Sequence, residues 1–188
     1  MTIFYEEGLF AILTSFLMAL PSMLLQIAMY VLSAVAIYVI AWRRGLKNPW
    51  LAWIPVLNVW LLGSLSDQYQ YVVRRKNTSR RKWLLALNLV MPVLAGLVIG
   101  FGVYAMMPVG YGIHWGDAMV AMGFVLPLAA AAIAATVIRY IALYDVYRSL
   151  DPDNAVLFLV LAIFFGITEP FFLFFNREKD LGMPPRKC

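Results

Sequence analysis

Residues 48–63 read NPWLAWIPVLNVWLLG, and the reading of this stretch decides the fold. It holds three of the chain's six tryptophans, at 50, 53 and 60, and prolines at 49 and 55. It is as apolar as a membrane helix, but only Trp50–Ile54 lie between the prolines. Pro55 has no amide hydrogen, so no regular helix runs through it without a kink. Arg43, Arg44 and Lys47 precede the stretch, and Arg74, Arg75, Lys76, Arg80, Arg81 and Lys82 follow it. Were it a membrane span, those two basic clusters would stand on opposite sides, against the rule that Lys and Arg gather in the cytoplasm. A hairpin or interfacial segment that enters and leaves on the cytoplasmic side avoids the conflict. Its irregular backbone must then be buried against protein, because lipid satisfies no free peptide group. Asn58, which both donates and accepts, is placed to pair some of those groups.

Working outward, the chain is membrane sequence throughout. Hydrophobic residues make up 63% of 188 and charged residues 13%, about half the charged share of a soluble domain. Uncharged runs of 35, 34 and 21 residues separate Glu7 from Arg43, Lys82 from Asp117 and Asp117 from Arg139. A spanning helix needs roughly 20. The expected class is an all-α polytopic integral membrane protein, one membrane domain over 1–188. The net charge of +5 is not a nucleic-acid signal, because the basic residues flank apolar runs, where they orient helices and meet anionic headgroups.

Three full spans are expected. Residues 9–42 exceed one span, and Pro21 divides them, since proline is comfortable in a helix's first turn. That gives a leading interfacial helix over 1–19 and a span over 21–42; the alternative is two short spans turning at residues 19–22. The second span covers 83–107 and the third 118–144. Gly96 and Gly100 form a GxxxG pair, and alanines crowd the third span from Ala129 to Ala135, so the two helices are expected to pack through small residues. The start, MTIFYEEGLF, carries Glu6 and Glu7 where a secretory signal carries cations, so it is expected to be retained. With the N-terminus outside, the loop at 108–117 also faces out and contains no Lys or Arg. The basic clusters then fall in the cytoplasm.

The segment at 155–175, AVLFLVLAIFFGITEPFFLFF, is long enough to span, but Gly166, Glu169 and Pro170 break it. Spanning would put eleven cations inside and four outside; a second cytoplasmic hairpin keeps all fifteen inside. The hairpin is the expectation, with a fourth span as the alternative and 176–188 as a cytoplasmic tail. Residues 36–63 and 139–166 look like a diverged repeat: an aromatic helix end with arginine, a proline turn, then a short apolar segment.

The chain holds little that resembles catalytic chemistry. Glu169 stands in an apolar stretch, where a carboxylate costs several kcal/mol unless paired, protonated or solvated. It is either a proton or cation site, a counter-ion to Arg139, or a water-facing residue at a helix break. Tyr144-Asp145 lacks the second aspartate of an intramembrane aspartyl protease, and Asp145 is expected to pair with Arg148 one turn on. His114 is the only histidine and reads as a polar loop residue. Cys188 is the only cysteine, which excludes an intrachain disulfide and a thiolate metal site within one chain; its place at the very end excludes a prenylation box. No phosphate loop or HExxH motif occurs, and neither metal nor cofactor is expected. The tryptophans at 42, 50, 53, 60 and 83 read as an interfacial belt.

The stretch Arg44-Gly45-Leu46-Lys47-Asn48-Pro49-Trp50-Leu51-Ala52-Trp53-Ile54-Pro55-Val56-Leu57-Asn58 resembles a segment of small polytopic bacterial membrane proteins whose role is not established. The tail from Asn176 to Arg186, with Asp-Leu-Gly-Met-Pro-Pro at 180–185, is similar to the ending of such proteins in Gram-positive anaerobes. Together the two cover about a quarter of the chain. The resemblance implies a membrane protein and no particular activity.

From sequence, the first functional reading is a non-catalytic scaffold or accessory subunit. Arg74, Arg75, Lys76, Arg80, Arg81 and Lys82 would meet anionic headgroups, a membrane-protein partner or a second copy. The competing reading is a small transporter or transport subunit with a buried polar site at Asn58, Glu169 and Arg139. A polar cavity between the two broken segments favours the second; a closed interior with an exposed apolar flank favours the first.

Overall fold

The computed structural model describes residues 2–106 and 115–184. His114 and most of its loop, and Cys188, lie outside the described residues. Six helices follow one another: α1 Thr2–Arg43, α2 Pro55–Arg74, α3 Arg80–Met106, α4 Trp115–Leu150, α5 Ala155–Phe164 and α6 Thr168–Asn176. A 3₁₀ turn at Pro49–Trp53 precedes α2, and no strand occurs among the described residues. Three stretches, Thr14–Arg43, Arg80–Val103 and Met122–Leu150, are long and apolar enough to cross a membrane.

The path of the chain follows from a few contacts. α1 ends at Gly45, whose φ of 66° is the left-handed conformation glycine adopts freely. The amides of Gly45 and Leu46 return to the carbonyls of Trp42 and Ala41, a Schellman closure. The chain then runs back along α1 until Trp53 meets Tyr30, about three and a half helical turns from Arg43. α2 starts there and returns, so that Gln68 donates to the carbonyl of Arg44. The second broken segment does the same. α5 leaves the end of α4, the chain turns at Gly166, and α6 comes back until Leu181 and Gly182 bond the carbonyls of Leu150 and Ser149. Both segments therefore start and finish at one end of the molecule. The core lies there too, built from Ile37, Ile40, Leu61, Leu65, Leu143, Tyr147 and Leu173. The remaining halves of α1, α3 and α4 present apolar side chains outward, as helices in lipid do.

Three expectations are corrected and one alternative is removed. Pro21 does not divide α1, which is continuous from Thr2 to Arg43, so the separate leading helix over 1–19 is absent. Proline is tolerated inside membrane helices more readily than in water-soluble ones, and Pro92 and Pro127 likewise sit inside α3 and α4. Helices α2 and α4 outrun 63 and 144, to Arg74 and Leu150, because polar residues expected to end them find partners inside the fold. Segment 155–175 is two helices of ten and nine residues, each short of a span, which removes the single fourth helix. Finally, Gly96 and Gly100 do not pack helices: both are exposed, and a Cβ on either would meet nothing within 4 Å. The half-buried stripe of α3 runs through Leu84, Asn88, Met91, Ala95 and Val98. At 100° per residue the two glycines fall roughly opposite it.

The glycine that does bring helices together is Gly63, where a Cβ would lie 2.7 Å from the Arg81 Cα and 2.9 Å from its amide nitrogen. Gly63→Ala is expected to lower stability by about 1–3 kcal/mol through overpacking, whereas Gly96→Ala and Gly100→Ala leave it unchanged or slightly raised. Thermal unfolding of the three variants in one detergent checks this; a Gly63→Ala protein as stable as the parent would refute the close α2–α3 approach.

Candidate functional site

The tips of the two returning segments meet. At the first, the 3₁₀ turn exposes carbonyls that no helix pairs. Asn58 Nδ2 donates to the Ala52 carbonyl at 2.8 Å, and the Tyr30 hydroxyl donates to the Trp53 carbonyl at 2.7 Å. Pro55 opens α2, where its missing amide hydrogen costs nothing. At the second tip, the Thr168 amide and hydroxyl both donate to the Phe165 carbonyl at 2.8 Å. Phe158 stacks on Phe172 with centroids 4.7 Å apart, which clamps α5 against α6.

Between the tips lies a cleft of about 300 Å³, floored by α1 and α4. Its polar lining is Tyr30, Ser33, Asn58, Arg139 and Glu169. Arg139 Nη2 donates to Glu169 Oε1 at 2.8 Å, so α4 is tied to the first turn of α6 by an ion pair. The Glu169 side chain is 10% exposed and that of Arg139 is 50% exposed. Arg139 stands eleven residues before Leu150, about 16 Å along α4 from the end where the basic clusters gather. The three residues singled out from sequence as a polar site thus line one cleft, and Glu169 is the counter-ion of Arg139. A wider hollow of about 680 Å³ near Trp42, Arg43 and Glu178 is a surface recess, with Glu178 mostly exposed.

A second polar cluster was not legible in the sequence. Asp145, 2% exposed, accepts from Ser66 Oγ at 2.9 Å, from Gln70 Nε2 at 2.7 Å and from the Arg80 guanidinium. The expected Asp145–Arg148 pair is absent: Arg148 donates to the Tyr144 hydroxyl instead, because Asp145 faces inward toward α2 and α3. Asp67 caps α3 from a neighbouring helix, accepting from the Thr78 hydroxyl at 2.6 Å and from the amides of Arg80 and Arg81. That places a carboxylate at the positive end of the helix. Arg80 and Asp145 stand 65 residues apart, which leaves no local spacing to read.

The tail closes the same end. Arg44 donates to Asp180 at 2.7 Å and to Ser149 at 2.7 Å, and Lys179 reaches Asp151 at 3.4 Å. The Asn154 side chain, chiefly, and then its amide and Lys179 hold the Asp151 carboxyl below its ordinary value. A depressed carboxylate stabilises the fold at neutral pH and loses that contribution only as pH falls through the folded value.

Of the six basic residues in the α2–α3 turn, Arg80 is spent on Asp145, and Arg74, Arg75, Lys76, Arg81 and Lys82 are exposed. Trp83 and Tyr71 beside them are exposed as well, as are Trp42, Trp50 and Trp53.

No protein-family model, curated protein or solved structure matches the chain. Its class is therefore what its own helices define: an all-helical protein with three helices long and apolar enough to span a membrane.

Removing a partner from a buried, hydrogen-bonded charge is costly, because the remaining charge stays desolvated. Asp145→Ala is expected to destabilise by about 3 kcal/mol, and Arg148→Ala by less than about 0.5 kcal/mol. Chemical unfolding of the two variants separates them; equal small losses would show that the Asp145 cluster is not what holds α2 and α3 to α4.

Proposed function

We propose that the chain is a non-catalytic, multi-pass protein of the bacterial plasma membrane whose working site is the cleft between the two hairpin tips. In this reading the N-terminus lies outside and the basic turns lie in the cytoplasm. Both hairpins enter from that side and stop part-way. The site suits a small transporter or transport subunit better than the purely structural subunit that composition alone favours. The observation that supports this is the Arg139–Glu169 pair, set deep along α4 on an open cleft with Asn58 beside it. Ionisable residues at membrane depth are expensive and mark solute or proton paths. Irregular backbone at that depth is stable where it lines a cavity.

The reading requires water in the cleft. With Cys188→Ser as background, Ser33→Cys is expected to react with a membrane-impermeant maleimide in inverted vesicles and not in intact, outer-membrane-free cells. Native Cys188 should show the same sidedness. An inert Ser33→Cys in both preparations would remove the aqueous cleft, and labelling of Cys188 in intact cells would remove the cytoplasmic tail.

The exposed cations at 74–76 and 81–82 support a second role, contact with anionic headgroups, at about 1 kcal/mol per residue. In nanodiscs, phosphatidylglycerol is expected to raise the unfolding midpoint over phosphatidylcholine at low salt. Replacing the five by Gln should abolish most of that increment; an increment that persists would assign the lipid effect elsewhere.

A further inference from the structure

We infer that the cleft takes a small zwitterion of the amino-acid type, with an anionic group at Arg139 and an ammonium group at Glu169. This rests on the cleft being a solute site.

The cleft lining offers groups to both charges of a zwitterion. For an anionic group, Arg139 carries five N–H donors, and among the described residues its only hydrogen-bond acceptor is Glu169. The first turn of α2 opens on the same cleft at Pro55 and contains no acidic side chain, so its positive dipole end is uncompensated. α6 differs, since Glu169 sits in its own first turn. For a cationic group, the second Glu169 oxygen and the Asn58 side-chain oxygen have no donor among the described residues, and Ser33 lines the same cleft.

Charge balance then selects the ligand. One guanidinium and one carboxylate sum to zero, so a solute of single sign brings an uncompensated charge to a depth where that is costly. A solute with both signs exchanges one ion pair for two and leaves the site neutral. A lone anion gains Arg139 but leaves Glu169 facing it; a lone cation does the reverse. Size agrees: about 300 Å³ is room for roughly ten water-sized groups, the scale of an amino acid and not of a nucleotide or a lipid. The wall built by Val59, Met29 and Pro170 gives a side chain an apolar surface to rest on.

The test uses the full chain in nanodiscs at pH 7 and three matched pools: L-amino acids, their amides as cations, and their N-acetyl derivatives as anions. The readouts are the unfolding midpoint and protection of Ser33→Cys from maleimide. The amino-acid pool is expected to raise the midpoint by several degrees and to slow labelling, with the other two pools roughly tenfold weaker or more. The double variant Arg139→Gln/Glu169→Gln leaves neither charge stranded, so it keeps the fold, and it should weaken amino-acid binding roughly tenfold to a hundredfold. Binding of only the amides or only the N-acetyl pool would overturn the zwitterion and leave the solute cleft standing. Unchanged amino-acid affinity in the double variant overturns it too. If no pool binds while Ser33→Cys still labels, the ligand class is wrong; if the cysteine is also inert, the cleft itself is.

Discussion

In the proposed membrane setting, a chain that turns around must pair its own peptide groups, and this fold depends on how it does so. In water the carbonyls of a 3₁₀ turn are solvated without expense; in lipid each unpaired one costs several kcal/mol. Here the turn at Pro49–Trp53 is paired by two side chains, Asn58 from the following helix and Tyr30 from the preceding one. Remove those and the first hairpin has no reason to stop where it does. The second tip meets the same demand locally, through Thr168, with the Tyr147 hydroxyl near the Glu169 carbonyl at 3.4 Å. Prolines at both tips fit because a first-turn residue has no helical bond to lose.

The ion pairs follow from that arrangement. Bringing both hairpins back to one end gathers Arg44, Arg80, Asp145, Asp151, Lys179 and Asp180 there, and cross-chain pairing makes their burial tolerable. Arg44 joins α1 to the tail and to α4, and Asp145 joins α4 to α2 and α3. The packed core and the polar clusters coincide because apolar association between helices has little driving force in lipid, so polar pairing and close packing must supply it. Away from this end the helices need only present apolar surface outward.

Much of this was legible in the sequence. Uncharged runs announce the three long helices, and proline with the charge distribution announces two interrupted segments. A carboxylate and an arginine inside apolar sequence announce each other, as do Asn58 and a turn in need of a donor. Partner choice between distant elements was not legible. The Asp67 cap and the Asp145 cluster join residues whose proximity exists only after α2, α3 and α4 have docked. Gly96 and Gly100 fail as packing residues for a different reason. The GxxxG spacing marks a smooth face, but which face turns inward is set by the apolar stripe, and here Gly63, with no motif around it, makes the close approach. Pro21 misleads because a proline that would start a helix in water can sit inside a long apolar one.

The Arg139–Glu169 pair can be both brace and site. As a brace it holds the α5–α6 tip against α4, and a buried carboxylate without it would carry the full desolvation penalty. Yet a brace alone needs no open cleft beside it. Exposing one partner weakens the pair and keeps its unused donors available. On the proposed reading, this is the arrangement that lets a polar solute replace part of an existing interaction without leaving an unpaired charge.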